Sequence, residues 1–169
     1  AVGAEPVETV LDIACKGAAG KTPGNAAANQ GVVNGVWGEF SDNSVKRVSD
    51  GVLLQYNHDI PVPPNDPGTS LNLAGMLADG TGRGQCTAWA EFLVQTLAVH
   101  GISATSTEIK STATDPNPPP PGSSYIQKAF TVAEGPAQGS NGQPYQNRTF
   151  AFHQVVTLNT YPNSIYDPS

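Results

Sequence analysis

A thiol, an imidazole and a carboxylate occur along the chain in the order Cys86, His153, Asp167. A thiolate attacks carbonyl carbon atoms, but it needs a base to take its proton and an acid to protonate the leaving group. An imidazole performs both tasks near neutral pH, and a carboxylate beside it fixes its orientation and stabilises its charged form. The three residues therefore predict a triad for acyl transfer through a cysteine nucleophile.

The sequence around the cysteine supports this prediction. Cys86 lies between a glycine-rich stretch, 79–84, and a segment of helical spacing, 85–100. We expect it at a helix N-terminus, where unpaired backbone N–H groups and the helix dipole favour the thiolate and can bind an oxyanion. The glycines are expected to leave room for a substrate backbone. They lack the Gly-Lys-Ser/Thr ending of a phosphate loop, which argues against nucleotide binding.

The choice of histidine is less direct, because the chain contains three. His100 lies at the other end of the predicted helix, about 21 Å from Cys86. A positively charged imidazole near a helix C-terminus interacts favourably with the helix dipole. His58 lies in a loop beside Asp59 and is expected to be exposed. A histidine on a strand is usually structural, so the choice of His153 depends on what lies across the sheet.

A predicted hairpin supplies that neighbour. Segment 149–158 alternates as a strand does, and a short strand at 165–167 follows it. If the chain turns around Thr160, His153 stands directly opposite Asp167, with β-carbons about 5 Å apart. This register is one of several, and a slip of one residue would place the two on opposite faces. The predicted turn residues are Asn159, Pro162 and Asn163.

The two cysteines leave an alternative open. In an oxidising compartment, Cys15 and Cys86 could form a structural disulfide. The position of Cys86 before a helix favours catalysis over this alternative. Cys15 ends a predicted first helix that starts at Glu5, and a small buried residue fits there.

The other elements are predicted from hydrophobic spacing and turn residues. In the first helix, the predicted buried face consists of Val7, Val10, Leu11 and Ala14. In the helix of Cys86, Trp89 and Leu93 share one apolar stripe, and Gly101 is the C-cap. The remaining predictions are a second helix at 26–40, a hairpin at 45–56 with a tight turn at Asp50-Gly51, a short helix at 70–78, and strands at 102–109 and 125–132. Helices first and strands later predict an α+β fold.

Composition excludes several classes of function. The net charge is −6 and the eight Lys and Arg residues form no cluster, which argues against nucleic-acid binding. No run of about 18 apolar residues predicts a membrane span, and no cluster of ligand residues predicts a metal. We expect no cofactor. The low charged fraction of 13% is typical of exported or cell-surface proteins. We expect a single domain over 1–169, cut from a longer chain.

Three segments together resemble the transglutaminase-like superfamily. The stretch 84–92 (GQCTAWAEF), followed by His100-Gly101-Ile102, resembles the nucleophile helix of that family. Segment 152–156 (FHQVV) is similar to its histidine strand, and 165–169 (IYDPS) looks like its aspartate-proline motif. The three occur in the family's order and cover roughly residues 70–169.

The resemblance implies a papain-like core, in which the nucleophile helix packs on an antiparallel sheet beside additional N-terminal helices. It implies that Cys86 attacks an amide carbonyl, that His153 exchanges protons and that Asp167 orients His153. The backbone N–H of Cys86 would contribute to the oxyanion hole. Gln85 and Trp89 are assigned to substrate binding, although helix spacing also places Trp89 in the core below the site.

The implied substrate is a protein or peptide amide, and nothing in the sequence selects water or an amine as acyl acceptor. The alternative is a non-catalytic module of the same fold that serves binding or assembly on a cell surface.

Overall fold

A computed structural model describes residues 5–41, 44–56, 72–78, 80, 82–110 and 152–168. Within these residues the chain forms four helices and five strands. In chain order they are α1 (Glu5–Gly17), α2 (Ala26–Ser41), β1 (Gln55–Tyr56), α3 (Leu73–Ala78), β2 (Arg83–Gly84), α4 (Cys86–Ala98), β3 (Ala104–Lys110), β4 (Phe152–Leu158) and β5 (Tyr161–Tyr166). The predicted α+β class is confirmed.

Two sheets carry the strands. β3, β4 and β5 form an antiparallel sheet with β4 in the centre, and β1 pairs with β2 in parallel. The helix α4 packs against β3 and β4 on one side and against α1, α2 and α3 elsewhere. It therefore forms the centre of the described structure.

The apolar stripe of α4 explains this central position. Trp89, Phe92, Leu93 and Leu97 are at most 1% exposed. Burying a large apolar side chain stabilises a fold by about 1.5–3 kcal/mol. The helix ends at Ala98 with Val99 as its C-cap, two residues earlier than predicted. The predicted cap, Gly101, follows in the left-handed conformation with φ of 69°.

The first helix is rotated relative to its predicted face. Val10 and Ala14 are buried as predicted, but Val7 and Leu11 are 58% and 43% exposed. The buried stripe runs instead through Thr9, Val10, Ile13, Ala14 and Gly17. The hydroxyl oxygen of the buried Thr9 accepts a hydrogen bond from the Val48 N–H. This rotation brings Cys15 to the surface, so the prediction of a buried core cysteine was wrong.

The second helix contains three glycines, and one of them, Gly35, lies where α2 packs against α1. A β-carbon at Gly35 would overlap the carbonyl oxygen of Gly17, and one at Gly17 would overlap the backbone of Val36. Glycine at both positions lets α1 and α2 approach backbone to backbone. The helical propensity lost at Gly35, about 1 kcal/mol relative to alanine, is offset by this contact.

The predicted hairpin at 45–56 exists, but its turn is longer than expected. Lys46 pairs with Leu53, and the Gly51 N–H donates to the Arg47 carbonyl. Gly51 of the predicted Asp50-Gly51 pair has a positive φ of 72°. Asp50 instead accepts hydrogen bonds from the Val52 N–H and the Arg47 guanidinium, and the guanidinium holds the pKa of Asp50 at about 2.

The glycine-rich stretch before Cys86 contains a short strand. Arg83 and Gly84 form β2, in which Gly84 lies opposite Tyr56. The Gln55 N–H also donates to the Gly82 carbonyl over 2.9 Å. The backbone that leads into Cys86 is therefore fixed by the end of the hairpin.

The register of β4 and β5 differs from the predicted one. Val156 lies opposite Tyr166 and Thr157 opposite Ile165, so Asp167 continues towards Val155 rather than His153. Direct pairing of His153 with Asp167 was therefore wrong by two residues. The chain turns at Asn159-Thr160 as expected.

The shift has a cause in β5. Leu158 pairs with Tyr161, whereas the preceding residue of β4, Thr157, pairs with Ile165. Residues 162–164 of β5 therefore have no partner of their own in β4 and form an irregular stretch. Pro162 and Asn163, predicted in the turn, lie in this stretch. Proline has no N–H to donate to the ladder, which disrupts regular pairing there.

Four predictions fall wholly or partly outside the described residues: the strand at 125–132, the loop position of His58, residues 149–151 of the strand 149–158, and the part of the short helix before Asn72. The remainder of that helix is confirmed, with Leu73, Met76 and Leu77 buried. Among the described residues, no helix has the length and apolar character that crossing a bilayer requires.

Candidate active site

Four elements bring chemically competent side chains together. Cys86 is the first residue of α4, His153 is the second of β4, Asp167 follows β5, and Tyr56 ends β1. The three residues predicted from the sequence lie in one cluster. Tyr56 is a fourth member that the sequence analysis missed.

Cys86 occupies the predicted helix N-terminus. The first backbone hydrogen bond of α4 runs from the Trp89 N–H to the Gln85 carbonyl, over 3.1 Å. The N–H groups of Cys86, Thr87 and Ala88 precede this bond and have no partner within the helix, and no side chain of Gln85 caps them. Their partial positive charge lies beside the thiol, which is 4% exposed.

His153 connects the thiol to the carboxylate. Its Nε2 atom lies 2.7 Å from Oδ2 of Asp167, and hydrogen bonding with the Cys86 side chain is among the effects that raise the pKa of the ring. Because Nε2 faces the carboxylate, Nδ1 is the ring nitrogen left for the sulfur. The side chain of His153 is 15% exposed and that of Asp167 is 48% exposed. A shift of two residues preserves the face of a strand, so the two meet diagonally.

The contacts of the thiol favour its charged form. Burial raises the pKa of Cys86, but hydrogen bonds from His153 and from the Gln154 backbone N–H, with the positive charge of His153, lower it below its ordinary value. A further hydrogen bond comes from the hydroxyl of Tyr56. A lowered thiol pKa at a helix N-terminus is the property of a reactive cysteine.

The imidazole shows the opposite shift. Burial lowers the pKa of His153, but the hydrogen bonds to Asp167 and to Cys86 raise it to about 9. The thiol gives up its proton more easily and the imidazole holds one more strongly. The site therefore favours a thiolate–imidazolium pair, whose titration belongs to the pair rather than to either residue.

Tyr56 reaches the cluster through the parallel pairing of β1 with β2. Its pairing with Gly84 places its backbone level with a residue that is two positions before Cys86. Its half-buried ring packs against the core. The sequence analysis placed Tyr56 at the end of a hairpin arm. Its position near Cys86 becomes visible only from the pairing of β1 with β2.

The two residues assigned to substrate binding, Gln85 and Trp89, differ in their burial. Gln85 is half-buried beside Cys86, with an extended backbone at ψ of 175°. Trp89 is fully buried between Phe40 and Phe92, with ring centroids 6.4 and 6.1 Å away. The assignment of Trp89 to substrate binding is therefore corrected. Its i, i+3 spacing from Cys86 points it into the core, as the helix stripe predicts.

The glycines before Cys86 serve packing rather than substrate access. A β-carbon at Gly84 would overlap the side chain of Met76, and Gly82 is buried against Leu54 with a positive φ of 65°. The expectation that the glycines leave room for a substrate backbone is therefore not met at Gly82 and Gly84, whereas Gly80 is exposed and has open space around it.

Other candidate groups lie apart from the cluster. His100 Nε2 lies 3.1 Å from the Ala14 carbonyl oxygen and links the end of α4 to α1. Cys15 and Cys86 are both free thiols, so the alternative of a disulfide between them is not formed. In the part of the chain that the structure describes, no group of three His, Cys, Asp or Glu residues could hold a metal ion.

No protein-family model, curated protein or solved structure matches this chain.

Proposed function

We propose that this chain is a cysteine-nucleophile acyl-transfer enzyme that acts on amide bonds of proteins or peptides. The observation that carries the proposal is the contact of one imidazole with both the Cys86 thiol and the Asp167 carboxylate. A structural cysteine needs neither a lowered pKa nor a histidine held by a carboxylate. The proposed fold is a papain-like, transglutaminase-like core, supported by a nucleophile at a helix start and a histidine on the sheet beside it.

The proposed reaction has two halves. The Cys86 thiolate forms a bond to the amide carbon, the C–N bond breaks, and His153 gives its proton to the departing amine. The product is a thioester on Cys86. Water or a primary amine then attacks the thioester carbon, His153 takes the proton of the attacking group, and the C–S bond breaks to restore the thiolate. Gln85 is proposed to contact the substrate beside the nucleophile.

An activated ester tests the first half without knowledge of the natural substrate. We expect p-nitrophenyl acetate to acetylate Cys86 in the Cys15→Ser chain, with a burst of p-nitrophenolate and an acetyl adduct located by mass spectrometry. The acetyl-enzyme is then freed of excess ester and incubated in buffer with or without methylamine, and the ratio of N-methylacetamide to acetate shows which acceptor discharges the thioester.

Cys86→Ala in the same background is the matched control and should show no burst. The rival function, a binding or assembly module, predicts that the chain with Cys86 acetylates no faster than this control. That result would overturn the proposed enzyme.

A further inference from the structure

The turn from β2 into α4 brings together the residues two positions before and two positions after the nucleophile. Gly84 ends β2, and Ala88 lies in the first turn of α4. A β-carbon at Gly84 would lie only 3.1 Å from the β-carbon of Ala88, and both residues are buried. The backbone on the two sides of Cys86 is therefore packed closely across this turn.

Met76 of α3 packs against the same turn. A β-carbon at Gly84 would lie 2.8 Å from Cγ of Met76 and would overlap its sulfur. The methionine side chain is fully buried, so it has no free space into which it could move. Met76 therefore sets how closely the end of β2 approaches α3.

The short helix α3 is held at both ends by charged side chains of other elements. The Leu73 N–H donates to Oε2 of Glu91 on α4 over 2.8 Å, and Nη1 of Arg47 donates to the Leu77 carbonyl over 2.7 Å. Hydrogen bonds with charged partners are stronger than those between neutral groups. The six residues of α3 thus hold Met76 in a fixed place relative to α4.

We propose that Met76 is a positioning residue for the proposed acyl transfer, which fixes the start of α4 and with it the place of the Cys86 thiol relative to His153. Cys86 is the first residue of α4 and His153 lies on β4, so their separation depends on where α4 begins. Met76 acts through Gly84 and Ala88 rather than on the reacting atoms. Such support matters because a misplacement of about 1 Å slows a reaction by roughly 10²-fold.

Crowding this space and then relieving it tests the inference in the Cys15→Ser chain. Gly84→Ala should lower the rate constant of Cys86 acetylation by p-nitrophenyl acetate roughly 10²-fold, because the added β-carbon pushes the turn away from Met76. Gly84→Ala/Met76→Ala should recover the rate to within about tenfold of the parent chain, since the β-carbon then fits where Cγ and the sulfur were. The midpoint pH of Cys86 alkylation by iodoacetamide should shift and return in the same order.

A second pair of variants tests the support directly, including the case in which Gly84→Ala does not fold. Met76→Ala alone should slow acetylation on the order of tenfold, because the turn loses its support. Met76→Leu has a similar volume and should retain more of the rate.

Leu97→Ala is the matched control, because it removes a buried side chain of α4 at the end remote from Cys86. It should lower the unfolding temperature but leave acetylation within about threefold of the parent chain, as expected for a distant site. All rates are measured where thermal unfolding shows each variant to be folded.

Three results would overturn the inference while acyl transfer stands. They are an unchanged rate in Gly84→Ala or Met76→Ala, a Gly84→Ala/Met76→Ala chain no faster than Gly84→Ala, and an equal loss of rate in Leu97→Ala. A parent chain that is not acetylated would overturn the proposed function and this inference with it.

Discussion

The Nε2 atom of His153 lies 2.7 Å from Oδ2 of Asp167, at the end of β5. This contact occupies one side of the imidazole and leaves Nδ1 for the sulfur of Cys86. The carboxylate also opposes the effect of burial, which by itself would lower the pKa of His153. One contact thus sets both the orientation and the charge of the ring, and several measurable consequences follow.

Replacing Asp167 with Asn should lower the pKa of His153 from its value of about 9, because the burial of the ring is then opposed only by Cys86. Acetylation of Cys86 should slow by roughly 10²–10³-fold, as expected when a histidine loses its orienting carboxylate. NMR titration of the ring protons measures the first effect and the p-nitrophenolate burst the second. An unchanged His153 titration would show that the carboxylate does not control the ring.

The rate of Cys86 acylation by an amide substrate should follow a bell-shaped pH profile. It rises with pH as the Cys86 thiol, with a pKa below its ordinary value, becomes a thiolate. With an amide substrate it falls as pH rises through about 9, where His153 loses the proton it must give to the departing amine. An activated ester needs no such proton, so its rate should lack the basic limb. A basic limb of equal size for both substrates would contradict the assignment of His153 as the acid.

The position of Asp167 depends on packing between α2 and β5. The ring centroids of Trp37 and Tyr166 lie 5.3 Å apart, and the Gln30 side chain donates to the Tyr166 hydroxyl over 3.4 Å. Trp37→Ala should destabilise the fold by about 2 kcal/mol and lower the pKa of His153, whereas Trp37→Phe should change both less. Calorimetry and the His153 titration are the two measurements. A loss of stability without any change in the titration would mean that α2 does not hold Asp167.

Two glycines of α2 provide a matched pair for testing its contact with α1. Gly35→Ala should destabilise the fold by at least about 3 kcal/mol, the upper end of the usual cost of overpacking. The reason is that the added β-carbon meets backbone atoms of Gly17 rather than a side chain that can move. Gly38→Ala has open space around it and should stabilise the helix by about 0.5–1 kcal/mol. Chemical denaturation of both variants checks the sign. Equal effects would contradict the close contact of Gly35 with Gly17.

The elements that were predicted well are those with strong local signals. The apolar stripe from Trp89 to Leu97 and the positive-φ glycine at 101 define α4, and strict alternation defines β4. The face of α1 was misplaced because its hydrophobic spacing alone does not fix the buried side, which is set by packing against α2, α3 and α4.

The site depended on relationships that no local pattern carries. Tyr56 joins the cluster through parallel pairing with Gly84, across a sequence separation that includes residues 57–71. The contact of His153 with Asp167 was predicted from a register in which the two residues pair directly. In the structure the register differs by two residues, and the two side chains meet diagonally. It was still predictable because an error of two residues keeps the same face, whereas an error of one would not.

The most direct test of the account is the pH dependence of Cys86 alkylation by iodoacetamide, in the native chain and in His153→Ala, with labelled peptides quantified by mass spectrometry. The exposed thiol of Cys15 labels in both chains and normalises reagent exposure at each pH. We predict half-maximal Cys86 labelling well below the roughly 8.5 of a free thiol in the native chain. In His153→Ala the midpoint should move upward, because burial then raises the thiol pKa without the opposing imidazolium. A Cys86 profile that is the same in both chains would contradict the thiolate–imidazolium pair and, with it, the proposed enzyme.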